Sequence, residues 1–296
     1  MNQDFPSLKL LHRGKVRDIW DVGSNHLLIF TTDRVSVFDN VLPALIPGRG
    51  AILTEITRWW CESTKWYIPN HISQATLSLD EVLPDANERP NACKACQIVR
   101  RYNPLPIEAI VRGYLYGSAW TEYSTQGTIN GNPYPESLPK AYQFKYPIFT
   151  PSTKEMVGTH DLPLTDKEFE DKVGKEVANK IKEASIALYQ IAHDYMMTKG
   201  FILADTKFEF ALDEDGQLVL IDEVLTPDGS RIWDMKTYAP GKNQESYDKQ
   251  IVRDYVSSYI GNRKYEEVSV KEIPLPQEVI DQTIQSYQQV LTALVK

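Results

Sequence analysis

The chain has 296 residues, 42% hydrophobic and 24% charged, a balance that suits a globular protein with a large core and two lobes. Its formal net charge of -8 argues against general nucleic-acid binding but does not bar small anions held by local Arg and Lys clusters. The apolar runs are too short to span a bilayer, and Met1-Asn2-Gln3-Asp4-Phe5-Pro6 lacks the basic and apolar regions of a secretory leader, so a cytoplasmic protein is expected.

The first 40 residues read as a strand meander over 9–12, 16–22 and 26–32, with turns at Arg13-Gly14 and Gly23-Ser24-Asn25. Gly48-Arg49-Gly50 precedes a helix from 51 to about 65, with Ile52, Ile56, Trp59 and Trp60 at helical spacing. Cys93-Lys94-Ala95-Cys96 has metal or redox spacing, but no second pair accompanies it and it precedes a strand instead of opening a helix; reduced, partly buried thiols are expected here and at Cys61. Strands follow at 97–102 and 107–114, and Gly117 looks like a helix start. The stretch 125–163 is rich in Gly, Pro, Tyr and Ser, a long loop of the kind that is often functional. Thr165 is placed as the N-cap of a helix whose apolar stripe runs to Gly200. Two more helices are expected, at about 245–260 and about 277–295.

The most informative stretch is the pair of runs 201–212 and 218–224, joined by an acidic turn with Gly216. Alternate residues of a strand share a face, so Asp205, Lys207 and Glu209 line one side and Ala204, Thr206, Phe208 and Phe210 the other. The partner run is apolar until Asp222-Glu223. Buried carboxylates beside a lysine cost several kcal/mol unless they meet a cation or donors, and the set suits a divalent metal and nucleotide phosphates. Other polar clusters each allow two readings. Gly14-Lys15-Val16-Arg17-Asp18 is a surface hairpin or a phosphate contact; it is no P-loop. Thr32-Asp33-Arg34 and Asp39 line a cleft or form turns and caps. Arg112, Gly117 and Ser118 make an anion pocket at a helix start, or a cap with one ion pair. His160-Asp161, Thr226-Pro227-Asp228-Gly229-Ser230-Arg231 and Ser246-Tyr247-Asp248-Lys249-Gln250 add further polar groups.

Taken together, Gly14 to Asp18, Thr32-Asp33-Arg34 with Ser36, Phe38 and Asp39, Ile110 to Ser118, Leu203 to Phe210, Ile221 to Asp228 and Ser246 to Gln250 form six ordered motifs. They resemble the SAICAR synthetase family of purine biosynthesis over nearly the whole chain, from about residue 10 to about residue 290. Gly229 departs from the serine usual in the family, which removes a hydroxyl there. The segment 125–160 looks like that of the family's larger branch.

The resemblance implies an α+β fold of two α/β lobes, similar to ATP-grasp and distantly kinase-like, with ATP in a cleft between lobes. The expected division is a β-rich lobe over 1–112 and an α/β lobe over 113–296 with terminal helices. It implies an ATP-dependent ligase that joins L-aspartate to 5-amino-1-(5-phosphoribosyl)imidazole-4-carboxylate, giving ADP and phosphate in the route to IMP, and a monomer that uses magnesium. The roles it implies run as follows. Lys207 neutralises the transferring phosphoryl group and Asp39 orients an amine. Gly14, Lys15, Arg17 and Glu209 attend the nucleotide, with Glu108 near adenine. Arg112, Ser118, Arg231 and Lys249 hold the anionic substrates, and Asp222 and Glu223 the metal. A small-molecule kinase and a silent nucleotide-binding regulator are the rivals; the anion-binding residues count against the first, and the complete set of charged residues against the second.

Overall fold

Strand alternation builds the first layer. In the computed structural model, which describes residues 5–38, 40–85, 87, 94–154, 162–261, 263, 268–269 and 272–296, β1 (Lys9–Arg13), β2 (Arg17–Asp21) and β3 (His26–Thr31) form an antiparallel meander. Trp20, Leu28 and Phe30 point inward, and Phe5 packs edge-on against Trp20 and Phe30. β4 (Arg34–Val37) and β5 (Asn40–Leu45) pair with each other. Helix α1 (Arg49–Thr64) follows, then the short α2 (Leu79–Val82), and β6 (Cys96–Arg100) completes the first sheet beside β3. Asp33 accepts hydrogen bonds from the amides of Gly48 (3.1 Å) and Gly50 (3.0 Å), so the start of α1 is capped from outside the helix.

The chain folds as two compact units. The first takes residues 1–102 and 248–296, the second 103–156 and 160–247. The expected division at 112/113, with the terminal helices in the second lobe, therefore differs from the observed one. The reason is packing. Helix α6 (Gln250–Ile260) puts Val252, Val256 and Ile260 against Val35, Val37, Leu42 and Ile46, and α7 (Gln277–Val295) packs on α1.

The second unit is organised by β7 (Ile107–Tyr114) and β12 (Phe201–Leu212), which lie antiparallel to each other. They are flanked by β10 (Gln143–Phe149) and β13 (Leu218–Ile221), giving a sheet ordered β10-β7-β12-β13. β11 (Ser152–Thr153) also pairs with β7, and β14 (Ser230–Asp234) with β12. Helix α3 (Gly117–Gln126) follows β7 directly and is succeeded by the small hairpin β8 (Thr128–Ile129) and β9 (Asn132–Pro133). The stretch 125–163 is thus partly built of short strands. The helix expected from Thr165 to Gly200 is two helices, α4 (Asp166–Val173) and α5 (Lys175–Thr198), because Gly174 between them has φ 84° and ψ 143°. The helix expected from residue 245 starts only at Gln250, because Ser246 bridges Trp233 and the Tyr247 amide donates to Ile232. α5 buries Ile181, Leu188, Tyr189 and Ala192, and the Tyr189 hydroxyl donates to the Leu203 carbonyl (2.7 Å).

Close approach of α1 to β3 depends on Gly50. A Cβ there would lie 2.1 Å from the Thr31 carbonyl oxygen, a backbone atom that cannot swing away. Gly50→Ala is expected to cost about 3 kcal/mol of stability, read as a lower urea midpoint; an unchanged midpoint would refute this contact.

Candidate active site

The charged face of β12 meets the equivalent face of β7. Asp205 pairs with Arg112 and also, across β14, with Arg231. All three side chains therefore converge. The Asp205 carboxylate accepts from Arg112 Nη1 (3.2 Å) and Arg231 Nη1 (2.6 Å) through the same oxygen. Arg112 also donates to Thr150 Oγ1 (3.0 Å) and Ser118 Oγ (3.1 Å), which ties β7 to the start of α3. Burial pulls the Arg112 guanidinium below its ordinary pKa, with Asp205 pulling the other way. Two guanidiniums converge on one carboxylate here, with Glu122 a further negative charge acting on Arg112, and such forked donors suit the uptake of an anion.

A cavity of about 820 Å³ opens at Arg112 and Ser118. Its far side is formed by the β8–β9 turn and residues 162–165. Glu122 of α3 fixes that turn by accepting from Thr128 Oγ1 (2.8 Å) and the amides of Asn130 and Gly131 (both 2.9 Å), and Asn130 donates to the Leu164 carbonyl (2.6 Å).

Two and four residues further along the same face of β12 lie Lys207 and Glu209. Lys207 Nζ bonds the Glu108 carboxylate, and Lys154 Nζ bonds Glu209. Burial opposes the charge on Lys207, but Glu108, Glu209 and Glu223 outweigh it, and its pKa stands above the ordinary value. Lys207 is therefore a fixed cation suited to neutralising charge, not to accepting a proton. Glu209 is pushed up to about 7, first by burial and then by Asp222, against the pull of Lys154 and Lys207. Asp222 has φ 65°, a left-handed conformation that the chain adopts as β13 ends. Glu223 accepts from Thr226 Oγ1 (2.6 Å). A Cβ at Gly229 would sit 3.5 Å from the Glu223 carboxyl carbon, ordinary contact distance, so the glycine is not forced by crowding.

The donor set of Glu209, Asp222 and Glu223 fits a divalent cation. Carboxylates outnumber lysines around Lys207, and a cation bound there would favour the ionised form of Glu209, which burial and then Asp222 disfavour. Among the described residues no three acidic, His or Cys groups form a ready-made cage. Magnesium binds one or two carboxylates and completes its shell with phosphate oxygens and water, so the chemistry of these donors is compatible with it.

In the first unit, the Gly14 amide donates to the Arg17 carbonyl (2.8 Å), closing the turn that carries Lys15. Arg34 pins it from outside, donating to the carbonyls of Gly14 (3.0 Å) and Lys15 (3.0 Å) and pairing with the fully buried Asp18 (2.6 Å). Because a trans peptide points its N–H opposite its C=O, the amides of Lys15 and Val16 face away from Arg34 on one side of the turn. Lys249 stands at the N-cap of α6, where its carbonyl accepts from Arg253. Asp39, Cys93, His160 and Asp161 lie outside the described residues. Cys61 and Cys96 are buried free thiols, and burial pushes the Cys61 pKa up.

Sequence reasoning gathers Arg112, Ser118 and Arg231 but does not join them to Asp205 and Thr150, the partners that hold them. It notes Lys154 as a polar residue of the long loop without joining it to Glu209, and it misses Glu122 and the bracing role of Arg34. The cross-strand register that places Asp205 opposite Arg112 has no local signature.

The family model described as SAICAR synthetase matches residues 10–270. The chain is 46% identical over 297 residues to the phosphoribosylaminoimidazole-succinocarboxamide synthase of Thioalkalivibrio sulfidiphilus, covering 99% of this chain and 97% of that protein. It is 43% identical to the synthase of the same name from Haemophilus influenzae, with both chains covered in full. Its structure is similar to that of the SAICAR-synthase from Saccharomyces cerevisiae complexed with SAICAR, with a TM-score of 0.88, 34% identity and coverage of 99% of this chain and 97% of that one. A SAICAR synthetase in complex with ADP shares the fold at a TM-score of 0.69 and 21% identity, over 97% of each chain.

Asp205 is the shared counter-charge of two arginines, so Asp205→Asn removes the carboxylate on which both depend. A loss of about 3 kcal/mol in urea unfolding is expected, whereas Ser118→Ala, which removes one neutral acceptor, should cost less than about 1.5 kcal/mol. Equal losses would contradict the shared-carboxylate account.

Proposed function

The chain belongs to the SAICAR synthetase family, and from that premise we propose how its own residues carry the reaction. The enzyme is an ATP-dependent ligase that condenses L-aspartate with 5-amino-1-(5-phosphoribosyl)imidazole-4-carboxylate to give the succinocarboxamide, ADP and phosphate, in purine biosynthesis. The observation that carries the residue assignment is the single face of β7 and β12, which bears an anion-seeking arginine cluster at one end and a carboxylate–lysine cluster at the other.

A free carboxylate does not react with an amine at neutral pH, so activation comes first. One oxygen of the imidazole carboxylate attacks the γ-phosphorus of ATP, the bond to the bridging oxygen breaks, and ADP leaves. The aspartate amine then attacks the acyl carbon of the resulting acyl phosphate. The carbon–oxygen bond to phosphate breaks, phosphate departs and the nitrogen loses a proton. Lys207, held cationic by its carboxylate neighbours, stabilises charge on the transferring phosphoryl group. Asp222 and Glu223, helped by Glu209, would hold magnesium, which when bound would offset charge on the ATP phosphates. Lys15, with Gly14 and Arg17, contacts those phosphates. Arg112, Ser118, Arg231 and Lys249 take the anionic ends of the ribotide or aspartate, and Asp39 orients the amine. Glu108 is proposed to set the direction of the Lys207 ammonium through their ion pair, a place at the phosphate end of the nucleotide and not the adenine end expected from the sequence.

Among the described residues no helix is long and apolar enough to cross a membrane, and ATP and aspartate point to the cytoplasm.

A coupled assay tests the scheme: ADP release should require aspartate, and full-rate release without it would mark a kinase. Lys207→Ala should lower kcat at least ~100-fold, and near-normal turnover would remove Lys207 from the phosphoryl step. Arg112→Ala should raise KM for the ribotide or aspartate far more than for ATP. A defect confined to ATP would move Arg112 to the nucleotide.

A further inference from the structure

Arg231 packs its guanidinium into the space that Gly117 leaves open. A Cβ on Gly117 would fall 2.3 Å from Arg231 Nη2, 2.5 Å from Cζ and 2.8 Å from Nη1. The guanidinium therefore lies flat against the bare backbone at the start of α3. Gly117 also has φ +60°, a left-handed conformation that side chains rarely adopt. The preceding residue supplies a second wall, since the Tyr116 ring centroid is 5.7 Å from Arg231 Cζ. The third contact is Asp205, 2.6 Å from Nη1. Tyr116 is itself locked in place, packed edge-on against Trp233 at 5.1 Å.

We propose that Gly117 and Tyr116 are positioning residues that form a slot for the Arg231 guanidinium, and that this slot sets the enzyme's affinity for the anionic substrate Arg231 grips. The inference rests on the reading of Arg231 as a substrate-binding residue. A guanidinium recognises a carboxylate or phosphate through a rigid planar fork, so its usefulness depends on the orientation of that plane. The bond to Asp205 anchors Nη1. The glycine face and the aromatic ring restrict its rotation before substrate arrives, so less freedom is lost on binding.

The test is a double-mutant cycle on the full-length enzyme, with KM and kcat measured for ribotide, aspartate and ATP separately. Tyr116→Leu removes the ring's attraction for the cation and should raise KM for one anionic substrate about 10-fold, with kcat little changed. Tyr116→Phe keeps the ring and should stay within about twofold of the parent. Gly117→Ala pushes the guanidinium from its slot and should raise KM for the same substrate. In an Arg231→Ala background, neither Tyr116→Leu nor Gly117→Ala should add a further increase. If Arg231→Ala raises KM but the second substitutions add their full effect on top, the slot is refuted while the substrate role of Arg231 stands. If Arg231→Ala leaves every KM unchanged, the substrate role itself falls and the slot proposal falls with it. Lys140→Met removes the other cation at the Tyr116 ring, 4.7 Å from its centroid, and should leave every KM as it was; a 10-fold rise there would show that Tyr116 acts through Lys140.

Discussion

Two guanidinium groups and one carboxylate, buried where three strands meet, set the terms for the second unit. Arg112 and Arg231 repel each other, and neither would be stable so far from water alone. Asp205 lies opposite both in the strand ladders and bonds both through one oxygen. Each attraction at contact distance is worth about 4 kcal/mol at an effective dielectric near 20, while the more distant repulsion is weaker. The net result is a stable cluster in which two cations share one directly bonded carboxylate, with Glu122 adding a second, more distant negative charge on Arg112. Thr150 and Ser118 are neutral, so they orient Arg112 without quenching its charge.

The opposite imbalance stands further along the same strands. Around Lys207 the carboxylates outnumber the cations, and Glu209, buried and beside Asp222, is pushed up to about 7. One sheet face thus asks for an anion at one end and a cation at the other. A metal-bound nucleotide beside an anionic substrate meets both demands, and the proposed ligase chemistry joins those two partners. The contrast also separates roles among similar residues. Lys207 is kept charged by its neighbours, which suits electrostatic stabilisation, and Glu209 lies close enough to titration that a bound cation would decide its state.

Much of this was readable in the residues and some of it was not, for physical reasons. The β12–β13 hairpin is written in strict alternation and an Asp–Gly turn, and its charged face stands where period-two counting puts it. Helices α1 and α7 likewise follow their apolar stripes. β14 escaped notice because Thr226 to Arg231 has the composition of a loop, and Ser230–Asp234 becomes a strand only by pairing with β12. Gly174 breaks a helical pattern that is otherwise unbroken, since a single residue in an unusual conformation leaves the periodicity intact. The two-unit division depends on which helix covers which apolar strand, and that is a tertiary choice. In the site the chemical types were visible, but the supporting contacts came from distant sequence: Asp205 is 93 residues from Arg112, and Lys154 is 55 from Glu209.

The same logic of support explains the braces around otherwise ordinary turns. Arg34 is a strong cation placed beside the Gly14–Lys15 turn, yet it donates to two backbone carbonyls and to Asp18. Its charge is met by a carboxylate with no solvent exposure, which it shares with Arg13 at 3.8 Å. What remains of Arg34 is geometry: it fixes two peptide planes, and through them the direction of two amide groups. Glu122 does the equivalent at the β8–β9 turn with acceptors instead of donors. In both places an ionised side chain holds a turn in shape, and Glu122 also acts on Arg112 through space. Lys207 differs, because it belongs to a cluster in which carboxylates outnumber cations. That excess of negative charge, more than the presence of an ion alone, separates the end of the sheet proposed to meet a metal-bound nucleotide from the ion pairs that brace turns.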